Sequence, residues 1–124
     1  MIRLTIPYPK SKAGMTAFCK AYGLNAYWSG KHPKARARDA KYWHELTHAM
    51  LFKQGIQKSF FNKPVVINFY WNDGMDCTNH TAIGKMVEDA LKGWVIKDDS
   101  RKYVQGVCHW FHDKDYILVE VTEI

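Results

Sequence analysis

Residues 63–71, KPVVINFYW, narrow the choice of fold more than any other stretch of the chain. The high content of β-branched and aromatic residues in this stretch favours extended backbone. The Asn72-Asp73-Gly74 that follows is turn chemistry, so a strand is predicted to end there. A helix is predicted over 79–92, where Ile83, Met86, Val87 and Ala90 form an apolar stripe and Lys85 and Asp89 share the opposite side four residues apart. KYVQGVCHWF and YILVEVTEI then read as a closing hairpin around HDKD. Upstream, IRLTIPYP alternates from Ile2 and stops at Pro7 and Pro9, as a first strand and its loop do. Residues 13–22 read as a short helix, and NAYWSGKHPKARA (25–37) as an exposed loop running into a longer helix from about Arg36 to Lys53. Strand, helix, strand, helix and two strands point to an α/β (α+β) fold, a small mixed sheet with two main helices packed on it. At 124 residues the chain is expected to form one domain, 1–124, with one core.

The charge balance narrows the partners. Eighteen Lys plus Arg against 12 Asp plus Glu, a formal +6, favour a polyanion such as nucleic acid. Lys31, His32, Lys34, Arg36, Arg38 and Lys41 are interleaved with or follow the aromatic NAYW, a mixture suited to phosphate and base contacts. The competing reading is a solvated loop and helix start. Three cysteines, no charged-then-apolar leader and no apolar run near the 18 to 20 residues of a membrane span lead to the expectation of a soluble protein of the reducing cytoplasm, with no membrane partner.

Two patterns suggest zinc. His44, Glu45 and His48 in WHELTHAM have the spacing by which many zinc hydrolases hold metal and general base. On their helix Tyr42, Trp43, Leu46, Ala49 and Met50 fall on one side, with His44 and His48 opposite, beside Ala37 and Lys41. The extended motif asks for Gly at 51 and His at 54, and finds Leu51 and Gln54. The second pattern pairs Cys77 and His80 with His109 and His112. Against it stands an exposed hairpin with a buried Cys77, since His109 and His112 lie on opposite faces of a continuing strand.

The carboxylates make a third pattern. Asp73 and Asp76 sit at a strand end, a helix follows, and Asp98 and Asp99 come after it. Carboxylates gathered at an element junction beside a lysine suit Mg²⁺, which prefers oxygen ligands and can hold a scissile phosphate. An equally ordinary reading is a helix cap at Asp76 or Asn79, a Lys85–Asp89 surface pair and a KDDS turn.

At these residues the sequence resembles the RusA family of Holliday-junction resolvases of phages and prophages. The resemblance lies in Asp76-Cys77-Thr78-Asn79, then Lys85, then Asp89-Ala90-Leu91, then Asp98-Asp99-Ser100. LTIPYPKS resembles the family's opening strand and proline loop, NAYW its next motif, and YILVEVTEI its closing strand. The resemblance implies a homodimeric, Mg²⁺-dependent endonuclease, with Mn²⁺ as an alternative ion, that nicks two strands of a four-way DNA junction symmetrically in recombination and repair, in the host cytoplasm if phage-encoded. It assigns Asp76 and Asp99 as metal ligands, Lys85 to the phosphate or the developing charge, Asp89 and Asp98 to their support, and Asn79 to DNA contact. Two departures stand out. Thr78 occupies the place of the family's second Asp, and Asn79 to Lys85 spans six positions where the commoner pattern has three. The alternatives at Thr78 are that Asp73 replaces the missing ligand, that the nuclease is weak, or that the protein binds junctions without cutting them.

Overall fold

A computed structural model describes residues 1–124, for Trp28 the backbone alone. The elements run β1 (Ile2–Pro7), α1 (Lys12–Tyr22), α2 (Leu24–Trp28), α3 (Pro33–Lys53), β2 (Val65–Trp71), a 3-10 turn (Cys77–His80), α4 (Thr81–Leu91), β3 (Val104–Phe111) and β4 (Tyr116–Glu123). The sheet has the order β1-β4-β2-β3. β4 is antiparallel to both its neighbours, whereas β2 and β3 are parallel and joined through α4. A mixed α and β fold is therefore what the periodicities produce.

Local chemistry sets the helix starts. Ser11 caps α1 by accepting from Gly14 N at 2.9 Å, and His32 caps α3 through Nδ1, which accepts from Lys34 N at 3.1 Å, with Pro33 in the first turn. At the other end of α3, Gln54 clasps the backbone of β1, its Oε1 taking Thr5 N–H at 3.0 Å and its Nε2 donating to Thr5 O at 2.7 Å. That clasp covers an edge strand that would otherwise offer free peptide groups.

Three expectations are corrected. Residues 24–28 are helical rather than loop. β3 and β4 are not a hairpin, because β2 lies between them. β4 carries Ile117, Val119 and Val121 fully buried and Glu120 nearly so, the burial of a central strand, while β3 exposes Val107, Trp110 and Phe111 as an edge strand does. Crossing two strand spacings takes about 10 Å, within the reach of the four residues 112–115. His112 N donates to Trp71 O at 3.2 Å and Asn72 Nδ2 to Lys114 O at 2.9 Å, fastening that crossing over the end of β2. The third correction concerns α3, which buries Trp43, Thr47 and Leu51 while Tyr42 is 53 % exposed. α3 packs on both β1 and α4, so its buried stripe is turned toward His48 rather than away from it.

The buried residues form one cluster between the sheet and the helices, built on Trp43, Phe69, Trp71, Ile83, Leu91 and the β4 aliphatics. Helix α4 comes close to β3 at Gly84, where a Cβ would stand 2.8 Å from His109 Cε1. Among the described residues no helix is long and apolar enough to cross a membrane.

Gly74 closes the turn after β2 with φ of +84°. A left-handed conformation costs a residue with a Cβ about 1–2 kcal/mol. Gly74→Ala is expected to lower unfolding stability by about 1 kcal/mol, read as a fall in the urea midpoint at constant slope.

Candidate functional site

The link from the end of β2 to the start of α4 is held by a buried pair, the Asp73 carboxylate and the His80 ring. Asp73 has a fully covered side chain, with His80 Nε2 2.8 Å from both its oxygens, Tyr8 Oη donating to Oδ2 at 2.8 Å and Met75 N to Oδ1 at 3.0 Å. His80 Nδ1 faces the carbonyl of Cys77 at 2.9 Å. Its ring stacks on Trp71 at 4.3 Å. Burial drives the Asp73 carboxyl upward, but the hydrogen bonds from His80, Met75 and Tyr8 outweigh it and hold the group below the ordinary value of 3.8. Asp73 thus has both oxygens engaged within the fold.

One helical turn past this joint the polar side of α4 meets the segment that follows it. Trp94, Val95 and Ile96 all donate backbone N–H to Leu91 O, which turns the chain sharply back, and Val95 and Ile96 are buried as anchors. The return brings Asp99 onto α4. Lys85 Nζ donates to Asp99 Oδ2 and lies 3.0 Å from Asp89 Oδ1; Lys92 Nζ lies 3.4 Å from Asp89 and 3.5 Å from Asp99. The two ammonium groups and two carboxylates alternate. The Lys85 hydrogen bond, above all, lowers the Asp99 carboxyl to about 2, and the same bond raises Lys85 above its ordinary value. Glu88 sits beside them, buried, and burial raises its carboxyl against the pull of Lys85.

Of the acidic residues expected in the site, Asp89 and Asp99 are brought together with Lys85. Asp76, Thr78 and Asp98 are exposed and take no part in the cluster. Asp76 opens the 3-10 turn without capping it, and nine residues of mostly helical chain, roughly 13–15 Å of axial rise, separate it from Lys85. Asn79 donates its backbone N–H to Asp76 O at 3.1 Å. Lys92 was missed by the sequence reading, although its three-residue spacing from Asp89 is the usual signal for such a pair.

The basic residues divide. Lys34, Arg36, Arg38 and Lys41 are exposed on α3. Lys31 is not: its Nζ is 2.5 Å from Asp39, donates to Ala21 O at 2.9 Å and stands 5.2 Å from the ring centres of both Tyr22 and Tyr27. It pins α1, α2 and α3 to one another. His32 spends Nδ1 on its capping bond.

Neither zinc pattern assembles. The His44 and His48 rings lie 4.1 Å apart, but His48 Nε2 donates to Ala90 O at 2.7 Å and packs on Trp94, while Glu45 is exposed 4.0 Å from Lys41. In the second set Cys77 Sγ donates to His109 O at 3.3 Å, His109 Nδ1 accepts from Trp71 Nε1 at 3.0 Å, and His112 Nε2 donates to Tyr116 O at 2.6 Å. Among the described residues no three His, Cys, Asp or Glu side chains converge as a set for a metal ion.

No family model matches the chain, and no curated protein matches it significantly.

Two expected outcomes follow from these ion pairs. Removing one partner of a buried pair costs about 3–5 kcal/mol, so Asp73→Asn should lower stability by about 3 kcal/mol in urea unfolding, a loss under 1 kcal/mol showing that the joint does not depend on it. Because its carboxyl is depressed, its stabilisation is full above the ordinary value of 3.8 and is lost as pH falls through the lower folded value. The acid limb of the wild-type stability curve should therefore flatten in the variant. At the cluster, NMR titration should find the Asp99 carboxyl at about 2. Lys85→Met should move it toward 3.8; an unchanged midpoint would mean that Lys85 is not its partner.

Proposed function

We propose that the chain is a Mg²⁺-dependent endonuclease of branched DNA, four-way junctions foremost, working as a homodimer, as its resemblance to the RusA family implies. The observation that carries this reading is one of adjacency: Arg36 of the exposed basic helix and Lys85 and Asp89 of the charged cluster line one groove. A DNA backbone held by Arg36 at this groove would reach the solvent-facing carboxylates and lysines of α4, while Lys34, Arg38 and Lys41, on the far side of the helix, would meet phosphates farther along; phosphate contacts of this kind position a duplex without reading its sequence.

The donor set suits a divalent ion in part. Asp89 and Asp99 already converge on one cation, the Lys85 ammonium, and Mg²⁺ is commonly held by one or two carboxylates together with water and substrate phosphate. When bound, the ion supplies Lewis-acid polarisation of the phosphodiester. The chain's own residues do the rest. Lys85, kept protonated by Asp99, balances charge developing on the phosphate, Lys92 replaces it as the partner of Asp99, and Arg36 holds a flanking phosphate. Two nicks in a symmetric junction require two such clusters, hence two subunits.

A second reading, junction binding without cleavage, is favoured by the same cluster. Lys85 and Lys92 already neutralise Asp89 and Asp99, and Asp76 stands outside. A labelled four-way junction incubated with protein and Mg²⁺, Mn²⁺ or EDTA decides between them. Cleavage with either ion, lost by at least 100-fold in Asp99→Asn with binding retained, supports the nuclease; binding with no cleavage under any ion supports the second reading. Neutralising Arg38 and Lys41 together should reduce the salt dependence of junction binding by about one to two slope units. Lys31→Ala should instead loosen the fold and leave that slope unchanged.

A further inference from the structure

The groove shared by α2, α3 and α4 has a character that phosphate binding alone does not explain. It encloses about 440 Å³, inside the range of roughly 300–1,000 Å³ that small-molecule sites occupy. Tyr27, Ala40, Ala82 and Met86 supply apolar lining; exposed Arg36 supplies a cationic end, and at the other end Lys85 is paired with Asp89, which lines the groove as well. A phosphate needs the cations and gains nothing from the apolar wall. A purely apolar occupant would gain nothing from the cations. The two together fit an anion attached to a flat apolar body.

We propose that this groove is a nucleobase subsite, which takes one unstacked base of the DNA strand whose phosphates Arg36 and Lys85 hold. The inference rests on the DNA-binding reading above and adds to it the part of the nucleic acid that enters the protein. Tyr27 is already held in place for stacking. Its hydroxyl donates to Met86 Sδ at 3.6 Å, and Lys31, itself locked to Asp39, stands against its ring. An aromatic ring and a polarisable thioether are the side chains on which a base stacks with little regard to its identity. Small residues at 40 and 82 leave the space that the base would fill. Arg36 forms no ion pair among the described residues, which leaves its guanidinium for the ligand. A base inside a paired duplex is closed to such a groove, whereas a base at a branch point or strand end comes out of the stack at small cost. The subsite would therefore favour branched over fully paired DNA.

The test uses a four-way junction carrying 2-aminopurine at the branch point, titrated with the full-length protein in EDTA so that nothing is cut. Wild-type protein should change the analogue's emission on binding. Ala40→Phe, at an exposed helix position, fills the groove and should abolish that change and weaken junction binding about tenfold, in line with the loss of one stacked base. It should leave the salt dependence as it was. Tyr27→Ala should act in the same direction and Tyr27→Phe, which keeps the ring, should restore the signal. Circular dichroism of each variant checks that the fold is kept. If the junction is bound and wild-type and Ala40→Phe give the same emission, the subsite is wrong and the DNA-binding reading stands. A protein that binds no DNA at low salt overturns both. A change of sedimentation mass in Ala40→Phe, with no effect on the analogue, would assign the groove to a second copy of the chain and overturn the proposal.

Discussion

The joint between β2 and α4 is held by a carboxylate that no water reaches. Asp73 takes donors from three directions: His80 from the start of α4, Tyr8 from the loop after β1, and the backbone of Met75 from its own turn. Its carbonyl accepts the Cys19 thiol of α1 at 3.3 Å, and the same Tyr8 hydroxyl receives Asn72 N–H at 2.9 Å. A buried charge with fewer donors would be strongly destabilising, so this convergence leaves the turn one arrangement. The stacking of His80 on Trp71, and the hydrogen bond from Trp71 to His109, carry the constraint across to β3. Where α4 starts, and how it is rotated on the sheet, depend on it.

Rotation matters because α4 is two-sided. Its apolar side, Ile83, Met86, Val87 and Ala90, is committed to the core. Lys85 and Asp89 are thereby directed outward, into the path of the chain returning from Leu91. That return is itself pinned by the burial of Val95 and Ile96, so Asp99 arrives at Lys85 as a consequence of packing rather than of charge attraction alone. Exposed ion pairs are worth little to stability. The cluster is better understood as a set of charges held in place by the core beneath it, next to a basic helix.

Parts of this arrangement were readable in residue order. The charge-free run to Trp71 and the Asn72-Asp73-Gly74 turn marked β2, the alternation from Ile2 marked β1, and the 83/86/87/90 stripe marked α4 together with its Lys85–Asp89 pair. These are signals within one element or across one turn, where spacing decides contact. Lys31 shows the opposite case. In sequence it belongs to a basic stretch; in the fold its neighbours are the rings of Tyr22 and Tyr27 and the carboxylate of Asp39, brought in from three helices. Similarly, the spacing of His44, Glu45 and His48 suggested a metal, whereas α4 supplies the Ala90 carbonyl that engages His48.

By itself, then, the sequence determined the strands and the longer helices, though not the short helix Leu24–Trp28, and it determined the net positive charge and the side of α4 on which its charged residues lie, because propensity and periodicity act over a few residues. The tertiary structure alone decided that β4 inserts between β1 and β2 instead of closing a hairpin on β3, since that choice turns on which strand can bury its aliphatic residues on the sheet. It alone decided that Asp73 is enclosed while Asp76 is open to solvent, though the two stand three residues apart in one acidic stretch. Their difference comes from Tyr8 and His80, contacts made across the fold, and a carboxylate's role is set by which donors surround it.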